Sequence, residues 1–211
     1  MVIDSNLLNG YQSIAQGLCE PNFADYYRLT GLTREDWLDT GRSLRFLEKY
    51  SFIDKPLPPE WILSKERVFN LPFKKEDYLY PTHVYKDGFV SSCKKSGALF
   101  DKTGYEALQS SLINMGEKQL FIEKVQECYD PRPLSLSLPV RLSWEELLSG
   151  GFIVSFLIDF PHGFFFLFSP SALWGLFIAN DALFDVEILG VKIKYQSCFS
   201  PYYQYESSFE K

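Results

Sequence analysis

The chain has 211 residues, 46% of them hydrophobic and 17% aromatic, with a formal net charge of −6 and an isoelectric point near 5.0. This composition excludes a disordered, collagen-like or disulfide-stapled chain, and the acidity disfavours nucleic-acid backbones and anionic membrane surfaces unless a basic patch overrides it. No such patch stands out, since Lys74-Lys75 and Lys94-Lys95 read as solvated turns. The cysteines at 19, 93, 128 and 198 form no Cys-x-x-Cys pair, and the first residues lack a basic, then apolar, secretory signal, so cytoplasmic residence is expected.

In chain order, Pro21 with Phe23, Tyr26, Tyr27 and Leu29 predicts a short helix over 21–29. Thr33 followed by Arg34, Glu35 and Asp36 supplies an N-cap and an acidic first turn, and the apolar positions to Leu47 predict one amphipathic helix over 34–50. Residues 54–60 hold three prolines and read as a connector. Strand-like pieces follow at Tyr78–Tyr80 and His83–Tyr85, with Asp87-Gly88 placed as a tight turn before Phe89. A helix over 103–114 closes at Gly116, and residues 119–125 alternate as a strand, with a helical continuation as the alternative.

Leu134, Leu136 and Leu138 alternate with serines as a further strand, and Ser143-Trp144-Glu145-Glu146 is a capping box for a short helix ending at Gly150-Gly151. The C-terminal third predicts strands at 152–158, 164–168, 174–179 and 191–195, with the acidic 180–187 stretch as a separator. The fold class is therefore α+β: an N-terminal helical layer and a mainly antiparallel sheet in the C-terminal third. Residues 1–133 form a mixed helical and strand region and 134–211 an aromatic-rich β region, joined in one compact domain.

Between Asp159 and Asp181 lie 21 residues without a charged side chain, about the length of a membrane-spanning helix. Pro161, Gly163, Pro170 and Gly175 break the run, and seven of its residues are aromatic, so buried strands are the expectation and no membrane partner is implied. Runs such as Phe164–Phe168 imply strands covered on both faces. One cover is the helical layer; the other is a second layer, a copy of the chain or a bound protein.

No phosphate-binding glycine loop, zinc-protease helix, nucleophile elbow or calcium loop is present, and the chain has two histidines, His83 and His162. The sequence thus names no catalytic residue, cofactor or metal site. A hydrolase using Cys93, His162 or a carboxylate is the enzymatic alternative, Cys93 standing out for its neighbour Lys94. Capping already accounts for Glu145-Glu146.

Asp181, Asp185 and Glu187 form a potential negative patch, and Tyr202, Tyr203 and Tyr205 a tyrosine-rich tail suited to protein contact. Together with the net acidity they point to a non-enzymatic acidic protein that binds a basic protein partner, for instance an immunity protein that neutralises a toxin or nuclease domain. A structural component that buries its aromatic strands against a second copy is the other alternative.

Overall fold

The computed structural model describes residues 5–19, 23–53, 55–72, 81–94, 102–124, 134–154, 163–181 and 184–204. Its centre is one six-stranded antiparallel sheet in the order β1-β6-β5-β4-β2-β3. The strands are β1 Phe89–Lys94, β2 Gln119–Lys124, β3 Leu134–Pro139, β4 Gly163–Phe168, β5 Trp174–Asp181 and β6 Phe184–Lys192. The α+β class holds, and the sheet draws β1 and β2 from the first region and the remaining four strands from the second.

Strand alternation sorts the apolar residues into two cores. Phe165, Leu167, Trp174, Leu176, Ile178, Leu189 and Val191 join Leu120, Ile122 and the β3 leucines in the first core. Helices α1 (Ser5–Cys19), α4 (Thr40–Tyr50), α7 (Lys102–Asn114) and α8 (Trp144–Leu148) supply its other wall through Tyr11, Phe46, Leu108 and Leu147. Phe121, Phe166, Phe168, Phe177 and Ile188 point the other way, into a second core completed by Trp61, Val68, Phe69 and Tyr85. Trp61 and Val68 come from α5 (Pro59–Val68), so the second face of the aromatic strands is covered by the chain itself.

Caps set several boundaries. The Thr33 hydroxyl accepts from the Asp36 amide, starting α3 (Arg34–Trp37), and the Asp39 carboxylate accepts from the amides of Gly41 and Arg42, starting α4. The helix expected over 34–50 is therefore two, because Asp39 serves as a second N-cap. At α8 the Ser143 hydroxyl accepts from the Glu146 amide, as the capping box predicts. The expected helices at 21–29 and 103–114 correspond to α2 (Phe23–Thr30) and α7, and Gly116 adopts φ +79° just beyond α7.

Other boundaries differ from expectation for identifiable reasons. Pro59 ends the connector early, because proline suits a first helical position and starts α5. His83 and Val84 belong to a short helix, α6 (Pro81–Val84), and Tyr85 makes a single bridge to Phe69; the other strand piece, Tyr78–Tyr80, lies outside the described residues. Gly88 does turn the chain, at φ +83°, but β1 pairs with β6 rather than folding back as a hairpin. Residues 152–154 are helical, not extended, and 155–158 lie outside the described residues. β6 begins at Phe184, inside the stretch expected to separate strands, and ends at Lys192, where a 3₁₀ helix (Ile193–Phe199) takes over. Helix α1 is an element that the sequence reading does not contain.

Among the described residues no helix is long and apolar enough to cross a membrane. The charge-free run instead supplies β4 and β5, paired from Gly163↔Asn180 to Phe168↔Gly175. Beyond the 3₁₀ helix, α9 (Ser200–Gln204) packs the tail onto the first core, with the Phe199 ring 5.8 Å from Trp174 and Tyr202 buried.

Candidate functional site

The residues expected to meet a partner occupy different environments. Glu187 is 1% exposed and Tyr202 2% exposed. With Tyr203, Ser92 and Leu189 they line an internal cavity of about 10 Å3, space on the scale of a single water molecule. Asp185 is two residues from Glu187 on β6, and Asp181 at the end of β5 pairs in register with Phe184. The side chains of Asp181, Asp185 and Cys93, and all of His162 and Tyr205, lie outside the described residues. Three of the six expected contact residues thus come together where α9 meets β6, Glu187 and Tyr202 buried and Tyr203 half-buried.

Tyr85 lies on the other side of the same strands. Its hydroxyl donates to the carbonyl oxygens of Gly175 and Ile188, the first at 3.1 Å. Burial pushes its phenol well above the ordinary tyrosine range, and the charge of Glu187 adds to the rise. This phenol is a structural donor, not an acid poised near neutrality.

A different surface is built with more purpose. Helix α5 buries Trp61, Ser64 and Val68 at steps of three and four, the spacing of one helical face. Trp61 stacks on Phe121 with centroids 4.4 Å apart and meets Phe168 edge-on at 5.4 Å. Its Nε1–H donates to Glu123 Oε2 at 2.9 Å, while Lys65 Nζ donates to Glu123 Oε1 at 2.6 Å and lies 4.5 Å from the Phe166 ring centroid. The Ser64 hydroxyl donates to the Pro170 carbonyl at 3.1 Å. One carboxylate on β2 therefore holds two side chains of α5, and aromatic stacking fixes the helix in rotation.

That anchoring turns Ile62 and Leu63 outward, at 48% and 50% exposure. Comparison with family models, curated proteins and solved structures finds no match to this chain. The surface has to be read from its own chemistry. Glu60, Glu66 and Arg67 are exposed around the apolar pair, one turn away along the helix or less. Adjacent large aliphatics on a rigid helix, rimmed by charge, have the composition of a protein contact with an apolar centre and a polar edge. Among the described residues the other exposed large apolar side chains, Tyr27, Ile113 and Ile193, belong to separate elements.

This face is hidden in the sequence because Pro56, Pro58 and Pro59 together read as a breaker. The signal that could have found it was Pro59 at the first helical position, Glu60 in the first turn, and the inward stripe of Trp61, Ser64 and Val68. Among the described residues no group of three His, Cys, Asp or Glu is placed to hold a metal ion.

Proposed function

We propose that this chain is a non-enzymatic binding protein whose partner is a basic protein, docked on the outward face of α5. An immunity protein that neutralises a cationic toxin or nuclease domain is the plainest instance. The observation that carries the reading is the pair Ile62 and Leu63, half exposed on a helix otherwise locked to the sheet. Preorganised apolar residues at the middle of a contact supply most of its affinity. The net charge of −6 supplies long-range attraction for a cationic partner. Cytoplasmic residence belongs to the same proposal, the half-buried free thiol of Cys198 suiting a reducing compartment.

Interferometry with the purified product of the neighbouring reading frame tests this directly. Association should slow as salt is raised, and the double variant I62S/L63S should dissociate faster by about tenfold or more. Salt-insensitive association, no association, or full-strength binding by the double variant would overturn the proposal.

A further inference from the structure

Helix α4 carries Arg42, Arg45 and Lys49 at steps of three and four, which brings all three cations onto one face. Alongside them, against α8, runs an open groove of about 360 Å3 whose walls include these three side chains with Tyr50, Glu146 and Ser149. This volume is at the lower end of the range for small-molecule sites. Three cations and one carboxylate line the groove itself, with Asp36 and Asp39 beside Arg42 and Arg45.

Each charge has a definable state. Lys49 Nζ donates to Glu146 Oε1 at 2.7 Å, and Tyr50 Oη donates to the same oxygen. Arg42 donates one guanidinium N–H to Asp36 Oδ1 at 3.2 Å. Asp39 lies close enough for its charge to be felt by Arg42 and Arg45, but its Oδ1 is occupied by the backbone amides of Gly41 and Arg42. An ammonium has three N–H donors and a guanidinium five, so these pairs hold Lys49 and Arg42 in place while leaving donors over. Arg45 is exposed and makes no ion pair with any acid among the described residues.

We propose that this groove binds a small phosphate-bearing molecule. A phosphate group offers acceptor oxygens in several directions and close to two negative charges, so it can take an arginine fork and a lysine at once, with more charge for three cations than a single carboxylate carries. The site is independent of the partner surface, because α4 packs on the first core and α5 on the second. Occupancy ties residues 42–49 to residues 146–149, two segments now joined at the groove by the Lys49–Glu146–Tyr50 contacts.

Calorimetric titration of the full chain with inorganic pyrophosphate tests the site, with orthophosphate and citrate as comparison ligands. Saturable binding of pyrophosphate is expected, weakened about tenfold or more by Arg45→Gln. Arg67→Gln removes the same charge from α5, across the sheet, and should change it by less than about twofold. An unchanged melting temperature for unliganded Arg45→Gln shows that the fold is intact. Absence of saturable binding, equal weakening by both variants, or tighter binding of citrate than of pyrophosphate would each overturn the proposal.

Discussion

Gly175 and Gly190 sit directly opposite each other on β5 and β6; the ring of Tyr85 occupies the space left by the missing side chain of Gly190, and Val68 and Phe69 occupy that left by Gly175. A Cβ on Gly190 would lie 2.5 Å from Tyr85 Cδ1, and one on Gly175 would lie 2.5 Å from Val68 Cγ1. The paired glycines let the layer formed by α5 and the Phe69–Tyr85 bridge come down close enough on the sheet for Tyr85 Oη to reach two strand carbonyls.

Gly190→Ala is therefore expected to destabilise the chain by about 1–3 kcal/mol, the range for overpacking a filled core. Tyr85→Leu should relieve part of that clash, so the double variant loses less than the two single losses added together. Urea unfolding of the four proteins measures this. Additive losses would mean that the Tyr85 ring is not what excludes the methyl group.

Glu123 accepts from Trp61 and from Lys65, so removing it leaves one buried and one half-buried residue without the acceptor for their donors. Glu123→Ala should cost about 2 kcal/mol, and Glu123→Gln should recover part of the loss, because its carbonyl can still accept from the indole while its amide N–H groups cannot accept from Lys65. Denaturant midpoints decide it. Equal losses for Ala and Gln would assign the stabilisation to charge alone.

The outward and inward faces of α5 make opposite predictions. I62S/L63S should stay within about 0.5 kcal/mol of wild type, as exposed positions do. Trp61→Ala, at a fully buried position, should lose about 3–5 kcal/mol. If the double variant also unfolds at markedly lower denaturant, Ile62 and Leu63 serve the fold and the partner surface on α5 loses its basis.

The Lys49–Glu146 contact has a calculable pH window. The lysine hydrogen bond, then that from Tyr50, holds the Glu146 carboxyl below its ordinary range, and the same lysine bond raises Lys49. A lowered carboxyl contributes stability above its unfolded pKa of 4.5 and loses it as pH falls through the lower folded value. A raised ammonium contributes below 10.5 and loses that as pH rises through its higher folded value. The difference in urea midpoint between wild type and Glu146→Gln should accordingly be small, because both groups are solvated, and level across neutral pH. It should shrink toward zero on acidification below 4.5. A difference that grows under acid would reverse the assignment.

Capping chemistry and strand alternation are local signals, and what they govern was readable in advance. Ser143 announced α8, Gly116 the end of α7, and the alternating leucines β3, while the unbroken aromatic run marked β4 as covered on both faces. Long-range choices were not readable. Asp185 and Glu187 looked like a solvated separator because the β1 and α9 neighbours that enclose Glu187 come from residues 92 and 202–203. The exposure of Ile62 and Leu63 depends on which way α5 is turned, and Trp61 docking against β2 and β4 decides that. The groove on α4 needed α8 beside it; its three cations were visible at helical spacing, but Glu146 is about a hundred residues further along the chain.

The order of elements along the chain also sets a schedule for its synthesis. Strands β4, β5 and β6, which carry Phe164, Phe165, Phe166, Phe168, Trp174 and Phe177, follow α1, α4, α5, α7 and α8 in sequence. A chain made from its N-terminus therefore has helices for both cores, and the β2 edge on which β4 pairs, before the aromatic strands leave the ribosome. The segment most prone to edge-to-edge association is the one that waits least for its neighbours.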